Sequence, residues 1–104
     1  MLVSDEFPEL SEELQTLLRS LGEVILAEQV PGLRLLDRCR CGDDFCATIY
    51  TQPKPAKAYG PSHRNVPLTP EKGMIILDVV DGKIACVEIL YRDEIRSKLL
   101  KVLP

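Results

Sequence analysis

Tryptophan is absent from this chain of 104 residues, and phenylalanine and tyrosine together supply only 5% of it. A core built from it has to be aliphatic. The basic middle (Arg34, Arg38, Arg40, Lys54, Lys57, Arg64) lacks interleaved aromatics, so single-stranded nucleic acid finds no stacking platform there. No apolar run approaches the ~20 residues that a membrane span needs. There is no glycine-rich phosphate loop. The acidic start, Met1 to Glu6, has neither the basic nor the apolar region of an export signal. The expectation is a cytoplasmic protein with reduced thiols, without membrane or nucleic-acid partners.

What is present is ordinary in amount and uneven in placement. The chain is 45% hydrophobic and 28% charged, too apolar for disorder, and its length fits one domain spanning residues 1–104. A net charge of −3 argues against a dedicated nucleic-acid binder. That figure hides a contrast. Residues 1–30 carry seven acids and one arginine, whereas residues 31–72 carry seven bases and four acids. An acidic first third is either the solvated face of a helix or a surface for a basic partner.

Hydrophobic periodicity predicts a helix over residues 9–29. Leu10, Leu14, Leu17, Leu18, Leu21, Val24 and Ile25 form its apolar stripe, and Gly22 is a point of division. Pro31-Gly32 ends it. Residues 33–41 and 45–51 read as two strands around the turn Gly42-Asp43-Asp44. Five prolines then punctuate residues 52–72, which reads as a long loop because neither a helix nor a central strand tolerates them. Met74 to Val80 and Lys83 to Tyr91 flank Asp81-Gly82, a strong hairpin signal. Asp93 starts a last helix running to about residue 102. The expected fold is α+β: an antiparallel sheet of about four strands in two hairpins, with N- and C-terminal helices packed on it.

The cysteines are the most distinctive chemistry. Residues two apart on a strand share a face, so Cys39 and Cys41 project together, and a tight hairpin sets Cys41 opposite Cys46. Cys86 on the last strand is a fourth sulfur for that face, and His63 a further ligand. Zinc takes four such donors in a tetrahedron, although C-x-C followed four residues later by C departs from the usual C-x₂₋₄-C knuckle. The other readings are packed thiols and thiol-redox chemistry, the latter favoured by Arg38 and Arg40. In the loop, Tyr59, His63, Arg64 and Asn65 form a candidate binding set or an exposed, anchored loop. Asp78 and Glu88 interrupt apolar strands, as an acid pair or as carboxylates facing solvent or a basic partner. No catalytic set converges, and no motif specifies a reaction.

The run Asp81-Gly82-Lys83-Ile84-Ala85-Cys86-Val87-Glu88-Ile89-Leu90 resembles the G-x-I-x-x-V-E-I-L strand of small uncharacterised bacterial proteins. Arg38-Cys39-Arg40-Cys41-Gly42 is similar to the Cys-x-Cys-Gly hairpin found in uncharacterised bacterial proteins. Together these cover about a fifth of the chain. The resemblance implies a compact α+β domain and lends no catalytic residue. The proline-rich insert departs from the pattern. The function expected is a non-enzymatic protein-interaction module with an unidentified protein partner, homo-oligomerisation being one form of it. The alternative is a zinc or thiol-redox protein built on Cys39, Cys41 and Cys46.

Overall fold

The computed structural model describes residues 1–104. Four helices, α1 (Val3–Glu6), α2 (Pro8–Ser20), α3 (Val24–Gln29) and α4 (Asp93–Val102), accompany five strands. The strands are β1 (Asp37–Arg38), β2 (Ile49–Tyr50), β3 (His63–Leu68), β4 (Met74–Val80) and β5 (Lys83–Leu90). They form one antiparallel sheet in the order β1-β2-β5-β4-β3. No helix is long and apolar enough to cross a membrane.

The α+β class and the terminal helices are as the sequence predicts. The sheet has five strands where about four were expected, because residues 63–68 of the proline-rich stretch pair with β4. Pro67 sits inside β3. It is tolerated because β3 is an edge strand, where a missing amide donor leaves no central ladder bond unmade. The first hairpin is reduced to two-residue strands. Cys46 bridges to Leu90 of β5 rather than to Cys41, so the expected Cys41–Cys46 cross-strand pair is absent. The β4–β5 turn is the expected one, with φ of +53° at Asp81 and +75° at Gly82.

The long N-terminal helix divides at Gly22, whose φ of +77° terminates α2. Leu21 at the end of α2 and Val24 and Ile25 at the start of α3 stand outward, at 53%, 51% and 76% exposure, against the continuous stripe expected for them. Leu10, Leu14 and Leu18 of α2 and Leu26 of α3 pack instead with Ile95 and Leu99 of α4. Beneath them lie Ile49, Ile75, Leu77, Val79, Ile84, Val87 and Ile89 of the sheet, in one aliphatic core. Arg92 ties the layers together, donating to both oxygens of Glu13 at 2.9 and 3.0 Å and to Glu94 at 2.9 Å.

One irregularity positions the polar residues. The β4–β5 register shifts between Asp78 and Val79, so that Asp78 faces Cys86 while Val79 faces Ile84. Ala85 is left over as a bulge. The slip keeps Val79 and Ile84 in the core and turns Asp78, Cys86 and Glu88 to the other face.

A candidate thiolate centre and the groove beside it

The Sγ atoms of Cys39, Cys41 and Cys46 all lie within 4.8 Å of one another. The chain brings them together with a reversal at Gly42, where φ is +84°. The Cys39 amide donates to the Thr48 carbonyl at 3.0 Å, and the Cys46 amide donates to the Asp43 carbonyl at 3.2 Å. The tip is held to the body by Phe45, whose ring stacks on Tyr91 with centroids 5.2 Å apart. Its carbonyl also accepts the Tyr91 amide at 2.9 Å. At a Zn–S bond of about 2.3 Å, the edge of a tetrahedron is about 3.8 Å, so closing on an ion needs side-chain shifts of about 1 Å or less.

A cavity of about 30 Å³ lies against the three sulfurs, closed by Asp43, Arg96, Leu99 and Leu100 among others. One ion or one water fills such a space. Arg38 also lines it and is fixed by donating to the Leu103 carbonyl at 2.5 Å. Arg40 pairs with Asp37 at 3.0 Å. Guanidinium groups beside a thiolate cluster offset its negative charge.

The three thiols differ. Burial pushes Cys46 up, but hydrogen bonds with Thr48, Cys41 and Cys39 outweigh it and hold the thiol below its ordinary value. The Thr48 hydroxyl lies 3.4 Å from the Cys46 sulfur. Exposed Cys41 is drawn down by a backbone hydrogen bond at Asp43, yet its thiol neighbours push it up to about 11. Cys86 is not a member of this cluster. It is 3% exposed on β5, and burial, followed by the charges of Asp78 and Glu88, pushes its thiol well above the ordinary range. A thiol so placed is inert.

A second polar group occupies the same sheet face. Successive strand pairings align Asn65, Asp78, Cys86, Tyr50 and Asp37 in one row across the five strands. Asp78 is 6% exposed, and its Oδ1 lies 2.7 Å from His63 Nε2. The same oxygen accepts from Asn65 Nδ2 at 2.9 Å. Hydrogen bonding towards Asp78, partial burial and the charge of Asp78 push Glu88 up to about 7. Two carboxyls in contact hold one proton between them more readily than none.

Of the expected binding set, His63 and Asn65 therefore hold Asp78, and the Tyr59 ring lies 4.7 Å from the His63 ring. His63, Arg64 and Asn65 belong to strand β3 rather than to a loop. Arg64 stands apart, donating to both oxygens of Glu23 at 2.9 and 3.1 Å, and its hydrogen bond holds Glu23 below the usual carboxylate range. The partner of Asp78 is a histidine–asparagine pair and not the lysine or arginine that strand composition suggests.

A groove of about 370 Å³ joins the two groups, with Cys39 and Cys46 towards β1 and β2 and Asp78 and Glu88 on β4 and β5. Tyr50 and Tyr59 wall it. Thr48 and Tyr50 were not singled out from sequence. Their two-residue spacing matches that of Cys86 and Glu88, and that was the available signal. A larger depression of about 590 Å³ near Arg34, Gln52 and Lys83 gathers no cluster of thiols or paired carboxyls. Comparisons with protein-family models, with curated proteins and with solved structures find no match to this chain.

Proposed function

We propose that this chain binds one thiophilic metal ion, zinc first among them, through Cys39, Cys41 and Cys46. The observation that carries the reading is the convergence of three sulfurs to within 4.8 Å of one another. All-thiolate donor sets select soft or borderline ions such as Zn²⁺ over Mg²⁺ or Ca²⁺. The cavity of about 30 Å³ and the nearby Arg38 and Arg96 suit an ion held by anionic ligands. The reading needs a reducing compartment, in keeping with the cytoplasmic location expected from the sequence.

The test is elemental analysis of protein purified under reducing conditions and loaded with zinc. The expected result is one ion per chain, lost in Cys41→Ser and Cys46→Ser and kept in Cys86→Ala. Uptake below about a tenth of an equivalent, with no loss of stability in chelator, refutes it. Formation of a disulfide among the same three residues without metal uptake supports the thiol-redox reading instead.

A second reading, a non-enzymatic interaction module, is favoured by a different feature. Leu21, Val24 and Ile25 form an exposed apolar corner between α2 and α3, with Ile25 76% exposed. A second copy of the chain is the simplest occupant. Sedimentation should then show a dimer that Ile25→Glu dissociates, and a monomer at all concentrations counts against it.

A further inference from the structure

We propose that the thiolate centre is open towards the groove, and that a small neutral or cationic ester, amide or amidine is hydrolysed there by water set between the ion and Glu88. The inference rests on the metal reading above and adds an activity to it.

The donor count comes first. Three sulfurs leave a tetrahedral ion one free position, the arrangement of catalytic rather than structural zinc. Cys39 and Cys46 line both the small cavity and the groove, so an ion they hold sits between the two. The cavity side is closed by Leu99 and Leu100 of α4. The groove side, at about 370 Å³, has the size of a small-molecule site.

Reach comes next. Cys46 bridges to Leu90, which makes Glu88 its diagonal neighbour on β5. Diagonal neighbours on one sheet face stand roughly 7–8 Å apart, a span that two side chains fill with one water or one reacting group between them. Glu88 lines the groove together with Asp78, which is held by His63 and Asn65. Glu88 is thus the group that faces the reacting atoms. Asp78, His63 and Asn65 are positioning residues.

The lining selects the substrate. The charged side chains that line the groove are the acids Asp78 and Glu88, which disfavours phosphate esters and carboxylates. Tyr50 and Tyr59 offer aromatic faces, and the Lys54 ammonium already lies 5.7 Å from the Tyr50 ring centre. Planar neutral or cationic groups suit such walls.

The step balances without an oxidant or reductant. An ion held by Cys39, Cys41 and Cys46 would supply Lewis acidity at its open position, and the Glu88 carboxylate takes a proton from the attacking water. The hydroxide adds to the carbonyl or amidine carbon, forming a C–O bond as the π pair moves to oxygen or nitrogen. That pair returns as the bond to the leaving oxygen or nitrogen breaks, and the leaving group takes the proton from Glu88.

The probe is acetohydroxamate, added to reduced protein carrying one cobalt(II) per chain. The visible cobalt bands should change and saturate at one hydroxamate per ion. Glu88→Gln should keep the cobalt and the circular dichroism spectrum but weaken hydroxamate binding at least tenfold. Zinc-loaded protein should hydrolyse p-nitrophenyl acetate, and Glu88→Gln should slow it about 100-fold. Cobalt bands unmoved by hydroxamate overturn this proposal and leave the metal reading standing. Failure to take up either ion overturns both. Zinc-dependent hydrolysis equal in the two proteins overturns the role of Glu88.

Discussion

Replacing Glu88 with glutamine should stabilise the metal-free protein at pH 8 and change little at pH 4. In the folded chain this carboxyl is raised from an ordinary 4.5 to about 7 by hydrogen bonding towards Asp78, its partial burial and the charge of Asp78. A raised carboxyl favours folding while it is protonated. Its contribution is fully present below pH 4.5, where both states carry the proton, and is lost as pH rises through 7, where folding holds a charge against Asp78. Glu88 is partly exposed, and screening leaves an effect of about 1–2 kcal/mol at most. Glutamine keeps the shape and a donor towards Asp78 without the charge. Urea unfolding of both proteins at pH 4, 6 and 8 measures the difference. The gap should open between pH 4.5 and 7 and favour the glutamine variant, with equal urea slopes. A gap that is constant with pH, or a wild type more stable at pH 8, would refute the shared-proton pair.

Four further outcomes follow from the packing. A thiol reagent should modify Cys39, Cys41 and Cys46 in the native metal-free protein and reach Cys86 only after denaturation, since Cys86 is 3% exposed; four equally fast thiols would contradict this. Gly73→Ala should lower stability by about 1–3 kcal/mol in thermal unfolding, because φ is +72° there and a Cβ would sit 2.5 Å from the Leu90 carbonyl oxygen. Leu14→Ala, at a position with no exposure, should cost about 2–5 kcal/mol. By contrast, Ile25→Gln should stay within about 0.5 kcal/mol in the monomer, although the periodicity of the sequence places both residues on one stripe.

Local chemistry was legible where it depends on neighbouring residues. Asp81-Gly82 adopts the left-handed pair that a two-residue hairpin demands, and Gly22 breaks the helix because it reaches a φ of +77° without steric cost. The last helix begins at Asp93 as its position suggests, although Arg92 and not Asp93 takes the N-cap place and no side chain caps it. The meeting of the thiols at one end of the sheet was readable too, although the reason given for it, a ladder between Cys41 and Cys46, was not the one the chain uses.

The sequence by itself determined the class of the fold, the positions of its turns and the grouping of three cysteines, because each follows from short-range spacing and backbone preference. Tertiary structure decided the rest. Strand β3 exists only because β4 offers it an edge, on which Pro67 is harmless. Asp78 meets His63 and Asn65 across one strand pair and lies beside Glu88 of the other, contacts between residues up to 15 positions apart that no local pattern encodes. The bulge at Ala85, a slip of one residue, set which face those carboxyls share with the thiols.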